Sequence, residues 1–88
     1  MNIRHVDLKL LVYLNVLIDE QNVSKAANKL ALTKPAMSNA LKRLRDLFDD
    51  PLLVRAAGTM TPTAKALSLK PDIESLLKMA EEITQPSE

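Results

Sequence analysis

At 88 residues the chain has room for one small domain, and with Tyr13 and Phe48 as its only aromatics that domain must have an aliphatic core. The absence of cysteine excludes disulfides and thiolate metal sites, and the single histidine, His5, sits too near the terminus to suggest a metal centre or a catalytic triad. Net charge is only +1, yet residues 23–45 hold Lys25, Lys29, Lys34, Lys42, Arg43 and Arg45 with no acid, while residues 71–88 are strongly acidic; such asymmetry favours a polyanionic partner for the middle of the chain.

The first predicted element is a helix over residues 8–19. Leu10, Leu11, Leu14, Leu17 and Ile18 form a broad apolar stripe at helical spacing, and Asp7 stands before it as an N-cap. A short second helix follows over about residues 25–31, with Ser24 as the expected N-cap and Ala26, Ala27 and Leu30 as its buried side. Two adjacent alanines suit a place where another helix backbone approaches closely.

The third predicted helix lies in ALTKPAMSNALKRLRDLF, residues 31–48. Thr33 is its N-cap, and Pro35 falls in the first turn, where a missing amide costs little. At about 100° per residue, Met37, Leu41, Leu44 and Phe48 share one face, flanked by Ala40 and Leu47. The opposite arc carries Lys34, Pro35, Ser38, Asn39 and Lys42, and Arg45 lies at its margin, four residues before Asp49 and so placed to pair with it. That arc is dressed to touch something polar and negative. Two short helices joined by a tight turn, the second amphipathic and basic, make a helix-turn-helix pattern, although the usual turn glycine is missing.

After Asp49-Asp50-Pro51 the period changes. Residues 52–55 and 59–61 are short β-capable runs joined by Ala56-Ala57-Gly58, which predicts a two-stranded wing turning at the only glycine. Thr63 then caps a long helix over about residues 64–83. Its apolar positions Ala66, Leu69, Ile73, Leu76, Ala80 and Ile83 repeat with coiled-coil spacing, and Lys70–Glu74 and Glu74–Lys78 stand as i,i+4 pairs beside them. Pro71 is expected to kink this helix. The stripe can pack on the chain's own core or pair with a second copy; because the helix outruns the core available, we expect a homodimer interface.

LTKPAMSNALKRLRDLF followed by DDPLLVR, AAGTM and TPTAKAL resembles the N-terminal DNA-binding domain of LysR-type transcriptional regulators, closest to the nodulation-regulator-like subgroup, over about residues 7–84. The resemblance implies a mainly α fold, a winged helix-turn-helix over residues 1–62, with residues 63–88 forming a dimerisation linker helix and the start of a hinge. It also implies that a separate effector-binding domain of intact members is absent, as in a fragment. The implied function is sequence-specific binding of double-stranded DNA as a dimer on an interrupted palindrome, in the cytoplasm and nucleoid of a bacterium, with RNA polymerase as a further partner of the intact protein. No enzyme activity and no cofactor are expected.

On this reading Lys34, Pro35, Ser38 and Asn39 meet base edges in the major groove, while Ser24, Lys25, Thr33, Lys42 and Arg43 meet phosphates. Arg55 on the wing is the candidate for the minor groove. Two departures stand out. Lys34 replaces the glutamine common in related TQPA motifs, exchanging an amide that suits adenine for a cation that suits guanine or phosphate. The wing turn also lacks the basic residues frequent in the family, leaving Arg55 as its main charge. The competing reading is a dimeric helical interaction module whose basic face meets an acidic protein.

Overall fold

Three helices begin where a side chain takes over a free first-turn amide. Asp7 Oδ1 accepts from the Lys9 N–H at 3.0 Å, Thr33 Oγ1 from the Ala36 N–H at 3.2 Å, and Thr63 Oγ1 from the Ala66 N–H at 3.2 Å. These caps open α1 (Leu8–Glu20), α3 (Lys34–Phe48) and α4 (Ala64–Thr84). The computed structural model describes residues 7–85; His5 lies outside the described residues, as does the chain beyond Gln85.

The second helix departs from expectation. α2 spans Val23–Lys29, and its cap is Asn22, whose Oδ1 accepts from the Lys25 N–H at 2.8 Å. Ser24 therefore sits inside the first turn, exposed, with its hydroxyl released from capping. Both Asn22 and Ser24 are good cap residues, and the two-residue offset decides between them only once the turn after α1 is set. Gln21 makes that turn in the left-handed region (φ 52°), its N–H closing back on the Leu17 carbonyl at 2.9 Å.

Between α2 and α3 the chain reverses without glycine. Ala31 takes the left-handed conformation (φ 57°) that glycine would supply, and the Leu32 N–H returns to the Ala27 carbonyl at 2.8 Å. α2 packs on α1 and α3, with Ala26 and Ala27 both buried, as close backbone approach requires. The largest fully buried side chains are Leu14 and Leu17 of α1, Met37 and Leu44 of α3, and Leu52 and Leu53 leading into the wing. Leu41 and Ala40 are buried beside them, Phe48 is half-buried, and Leu47 is exposed.

The wing is an antiparallel pair, β1 (Leu53–Ala56) and β2 (Thr59–Pro62), with Ala56 opposite Thr59 and Arg55 opposite Met60. Its turn is Ala57-Gly58, with both residues at positive φ (50° and 81°), as tight hairpin turns of the primed kind demand. Two strands alone are marginal, and this pair is fastened at several points. The Met60 N–H donates to the Gln21 carbonyl at 3.1 Å, tying β2 to the end of α1. Asp50 Oδ2 accepts from the Leu52 N–H at 2.8 Å and from the Thr63 hydroxyl at 2.7 Å. That carboxylate holds Leu52 in the left-handed region (φ 62°), a position unusual for a bulky residue.

Arg45 does not pair with Asp49. Its Nε donates to the Pro51 carbonyl at 2.8 Å and its Nη2 to the Leu53 carbonyl at 2.8 Å, so the guanidinium staples α3 to the wing. Asp49 instead ends α3 in the left-handed region (φ 50°).

α4 runs unbroken through Pro71 and lies against α1. Here the coiled-coil stripe divides. Ala66 and Ile73 are buried within the chain itself, so these two are core positions rather than an open seam, and half-buried Leu69 packs against the same core. α1 packs against α4 here, where Lys70 reaches Asn15 and Asp19 of α1. Leu76, Met79 and Ile83 remain 41%, 60% and 76% exposed, and Ala80 is half-covered. Neither i,i+4 pair on α4 forms; Lys70 turns instead to α1, where its Nζ lies 2.6 Å from Asp19 Oδ1 and donates to Asn15 Oδ1 at 2.8 Å. With α4 projecting, the principal extents are 48 × 29 × 21 Å.

Candidate nucleic-acid interface

The outward arc of α3 forms a crest between two clefts. Met37, Ala40, Leu41 and Leu44 anchor the opposite side of the helix in the core, which leaves Lys34, Pro35, Ser38, Asn39, Lys42 and Arg43 exposed. The anchor fixes rotation about the helix axis, so the order of the polar side chains across the crest is set by packing beneath them.

On the wing side, Lys34 lines a groove with Gln21, Asn22, Val23 and Ser24 from the start of α2, and with Arg55, Gly58 and Met60 from the wing. The pairing register explains how Arg55 arrives there. Arg55 lies opposite Met60 and shares the strand face of Leu53, the face turned toward the helices, while Val54 stands on the other face. Because β2 is tied to Gln21, the wing brings Arg55 toward the helix-turn-helix rather than away from it. Ser24, Lys34 and Arg55, from three separate elements, thus border one groove.

On the other flank, Asn39 and Arg43 line a cleft with Asp7, Lys9, Leu10 and Tyr13 of the first turns of α1 and with Leu32, Ala36 and Ala40. Arg43 Nη2 lies 3.8 Å from Asp7 Oδ2, with the arginine side chain 64% exposed. An ion pair this long and this exposed contributes little, so it leaves the guanidinium able to turn to another anion. Pro35, Ser38 and Lys42 border neither cleft and make the crest itself.

Thr33 keeps its expected cap, and its hydroxyl proton remains available to donate. Lys25 is exposed in the first turn of α2 beside Ser24. Sequence reasoning missed Lys9 and Tyr13 on the second cleft and Asn22 at the first, since none belongs to the basic helix whose periodicity drew notice. The described residues hold no group of three His, Cys, Asp or Glu side chains arranged for a metal ion, and no helix among them is long and apolar enough to cross a membrane.

The sequence pattern of the bacterial regulatory helix-turn-helix proteins of the lysR family matches residues 8–67. The chain belongs to that LysR family. Among its LysR relatives, the transcriptional regulator PhcA of Ralstonia nicotianae is 44% identical over 75 residues, 85% of this chain and 22% of PhcA. The transcriptional activator NahR of Pseudomonas putida is 47% identical over 77 residues, covering 88% of this chain and 26% of NahR. The chain thus spans about a quarter of the length of these LysR relatives.

Solved LysR-type structures agree. A probable transcriptional regulator from Pseudomonas aeruginosa superposes with a TM-score of 0.84 at 38% identity, over 90% of this chain and 26% of that one. The BenM DNA-binding domain, crystallised with catB site 1 DNA, matches with a TM-score of 0.81 at 24% identity, over 89% of this chain and 84% of that one, a likeness of fold. The mainly helical winged helix-turn-helix is therefore the fold of this LysR chain.

Proposed function

We propose that the chain binds double-stranded DNA with sequence specificity, as a homodimer, and thereby regulates bacterial transcription. The observation that carries this reading is the meeting of Ser24, Lys34 and Arg55 on one groove beside the exposed crest of Pro35, Ser38 and Lys42. An α-helix fits the roughly 12 Å major groove, and the crest supplies what such an entry needs: short hydrogen-bonding groups near the helix start and cations further along. Family membership and the named roles of the regulators it resembles support the same conclusion.

In this account α3 lies in the major groove with Lys34, Pro35, Ser38 and Asn39 at base edges. Lys42, Arg43, Ser24, Lys25 and Thr33 meet phosphates, which fix register without reading sequence. Arg55 lies toward the adjacent minor groove, where narrow A·T-rich segments attract arginine. Leu76, Ala80 and Ile83, joined by Met79, form the seam of the homodimer, and two-fold protein symmetry makes the site an interrupted palindrome. Residues 1–62 act as the DNA-binding unit and residues 63–88 as the linker, with RNA polymerase as a further partner.

Selection of duplexes from a randomised pool, followed by footprinting, tests this reading. Recovery of a two-fold symmetric site is expected. No enrichment over random DNA, with tight binding to an acidic protein instead, would favour the interaction-module alternative.

A further inference from the structure

The contact that joins α4 to the helix-turn-helix has a role that stability alone does not require. Lys70 Nζ bridges Asp19 Oδ1 at 2.6 Å and Asn15 Oδ1 at 2.8 Å, two positions one turn apart on α1. The lysine side chain is only 21% exposed, and the bond to Asn15 spans 55 positions in sequence. It sits beside Ile73, the last fully buried residue of α4; one turn further only half-buried Leu77 packs against the core. Pro71 lies at the same level and, lacking an N–H, cannot bond to the Leu67 carbonyl, so the helix is weakest in its own backbone where Lys70 pins it. From Ile73 to Thr84 α4 extends about 16 Å, with Leu77 as its remaining apolar contact with the core. A tilt of about 10° at its base displaces the far end by about 3 Å, close to the rise of one base pair, about 3.4 Å.

We propose that Lys70 is a positioning residue for DNA recognition: clamped to Asn15 and Asp19, it sets the direction in which α4 leaves the domain, and so the half-site spacing that the dimer accepts. This rests on the dimeric DNA-binding reading above. Each added base pair turns one half-site by about 35° around the duplex axis, so a fixed linker direction makes spacing sharply selective.

The test uses the 88-residue chain on duplexes that carry two copies of the selected half-site, with the spacer varied one base pair at a time, and on a single half-site. Lys70→Met keeps the aliphatic stem, and Asp19→Asn removes the ion pair from α1 without touching α4. Wild type is expected to show a sharp spacing optimum. Both variants are expected to lose preference between neighbouring spacings while half-site affinity stays unchanged. If both variants melt earlier but keep the wild-type optimum, the clamp is structural only and the inference is overturned. A wild type that binds the half-site yet shows no spacing preference would instead refute the dimeric reading, and the role of Lys70 with it.

Discussion

Arg45 Nη2 donates to the Leu53 carbonyl at 2.8 Å, and through this bond the last turn of the basic helix holds the first strand of the wing. The second bond of the same guanidinium, Nε to the Pro51 carbonyl at 2.8 Å, makes a two-pronged contact that an ammonium cannot copy. Arg45→Ala should cost about 1.5–3 kcal/mol in urea denaturation, and Arg45→Lys most of that amount. Equal stability of Arg45→Lys and wild type would mean that the fork is unnecessary.

The two sides of α3 should separate in mutagenesis. Leu44→Ala removes a fully buried side chain and should destabilise by about 2–5 kcal/mol. Ser38→Ala and Lys42→Ala, on the exposed crest, should stay within about 0.5 kcal/mol of wild-type stability. In DNA binding the order reverses: Ser38→Ala reduces discrimination between specific and random sites, whereas Lys42→Ala weakens both alike and lowers the salt slope by about 1 for each half-site bound. Lys34→Gln should change the base preferred at one position of a selected site, since an amide reads adenine where a lysine favours guanine. Fluorescence anisotropy on matched duplexes reads all of these.

The wing turn carries backbone strain that can be tuned from either side. Gly58 has φ 81° with nothing within 4 Å of a built Cβ, so Gly58→Ala meets no clash and its cost is conformational, about 1–2 kcal/mol. Ala57 bears the same kind of strain at φ 50°, and Ala57→Asn, which creates the Asn-Gly pair such turns prefer, should stabilise by about 0.5 kcal/mol. Thermal melts of the two variants should therefore shift in opposite directions.

The divided stripe of α4 predicts two unlike phenotypes. Ile73→Ala should loosen the fold by about 2–4 kcal/mol, because Ile73 is core. Leu76→Asp and Ile83→Asp should leave folding intact and lower dimer content in sedimentation, because both side chains face outward. A dimer unaffected by both aspartates would place the interface elsewhere.

Much of the fold was legible because its signals are local. Asp7, Thr33 and Thr63 each cap the helix that follows at a spacing readable from sequence, and the α3 stripe of Met37, Leu41 and Leu44 is the buried face it promised. What escaped depends on separations that no period encodes. Lys70 meets Asn15 across the chain, and Arg45 finds backbone carbonyls rather than the nearby Asp49. The α4 stripe is continuous in sequence, yet where its burial ends is a property of tertiary packing. The candidate site follows the same division. The crest is a local pattern, while the groove that joins Ser24, Lys34 and Arg55 exists only because Gln21 and Met60 tie the wing back to α1.

The central claim, that the crest and its flanking grooves bind a nucleic-acid backbone, is tested most directly by the salt dependence of affinity for a selected duplex between 50 and 200 mM. If the dimer neutralises six to ten phosphates, affinity should fall by about 10³–10⁵-fold over that range, with log affinity linear in log salt. Affinity that stays nearly constant across it would contradict the account.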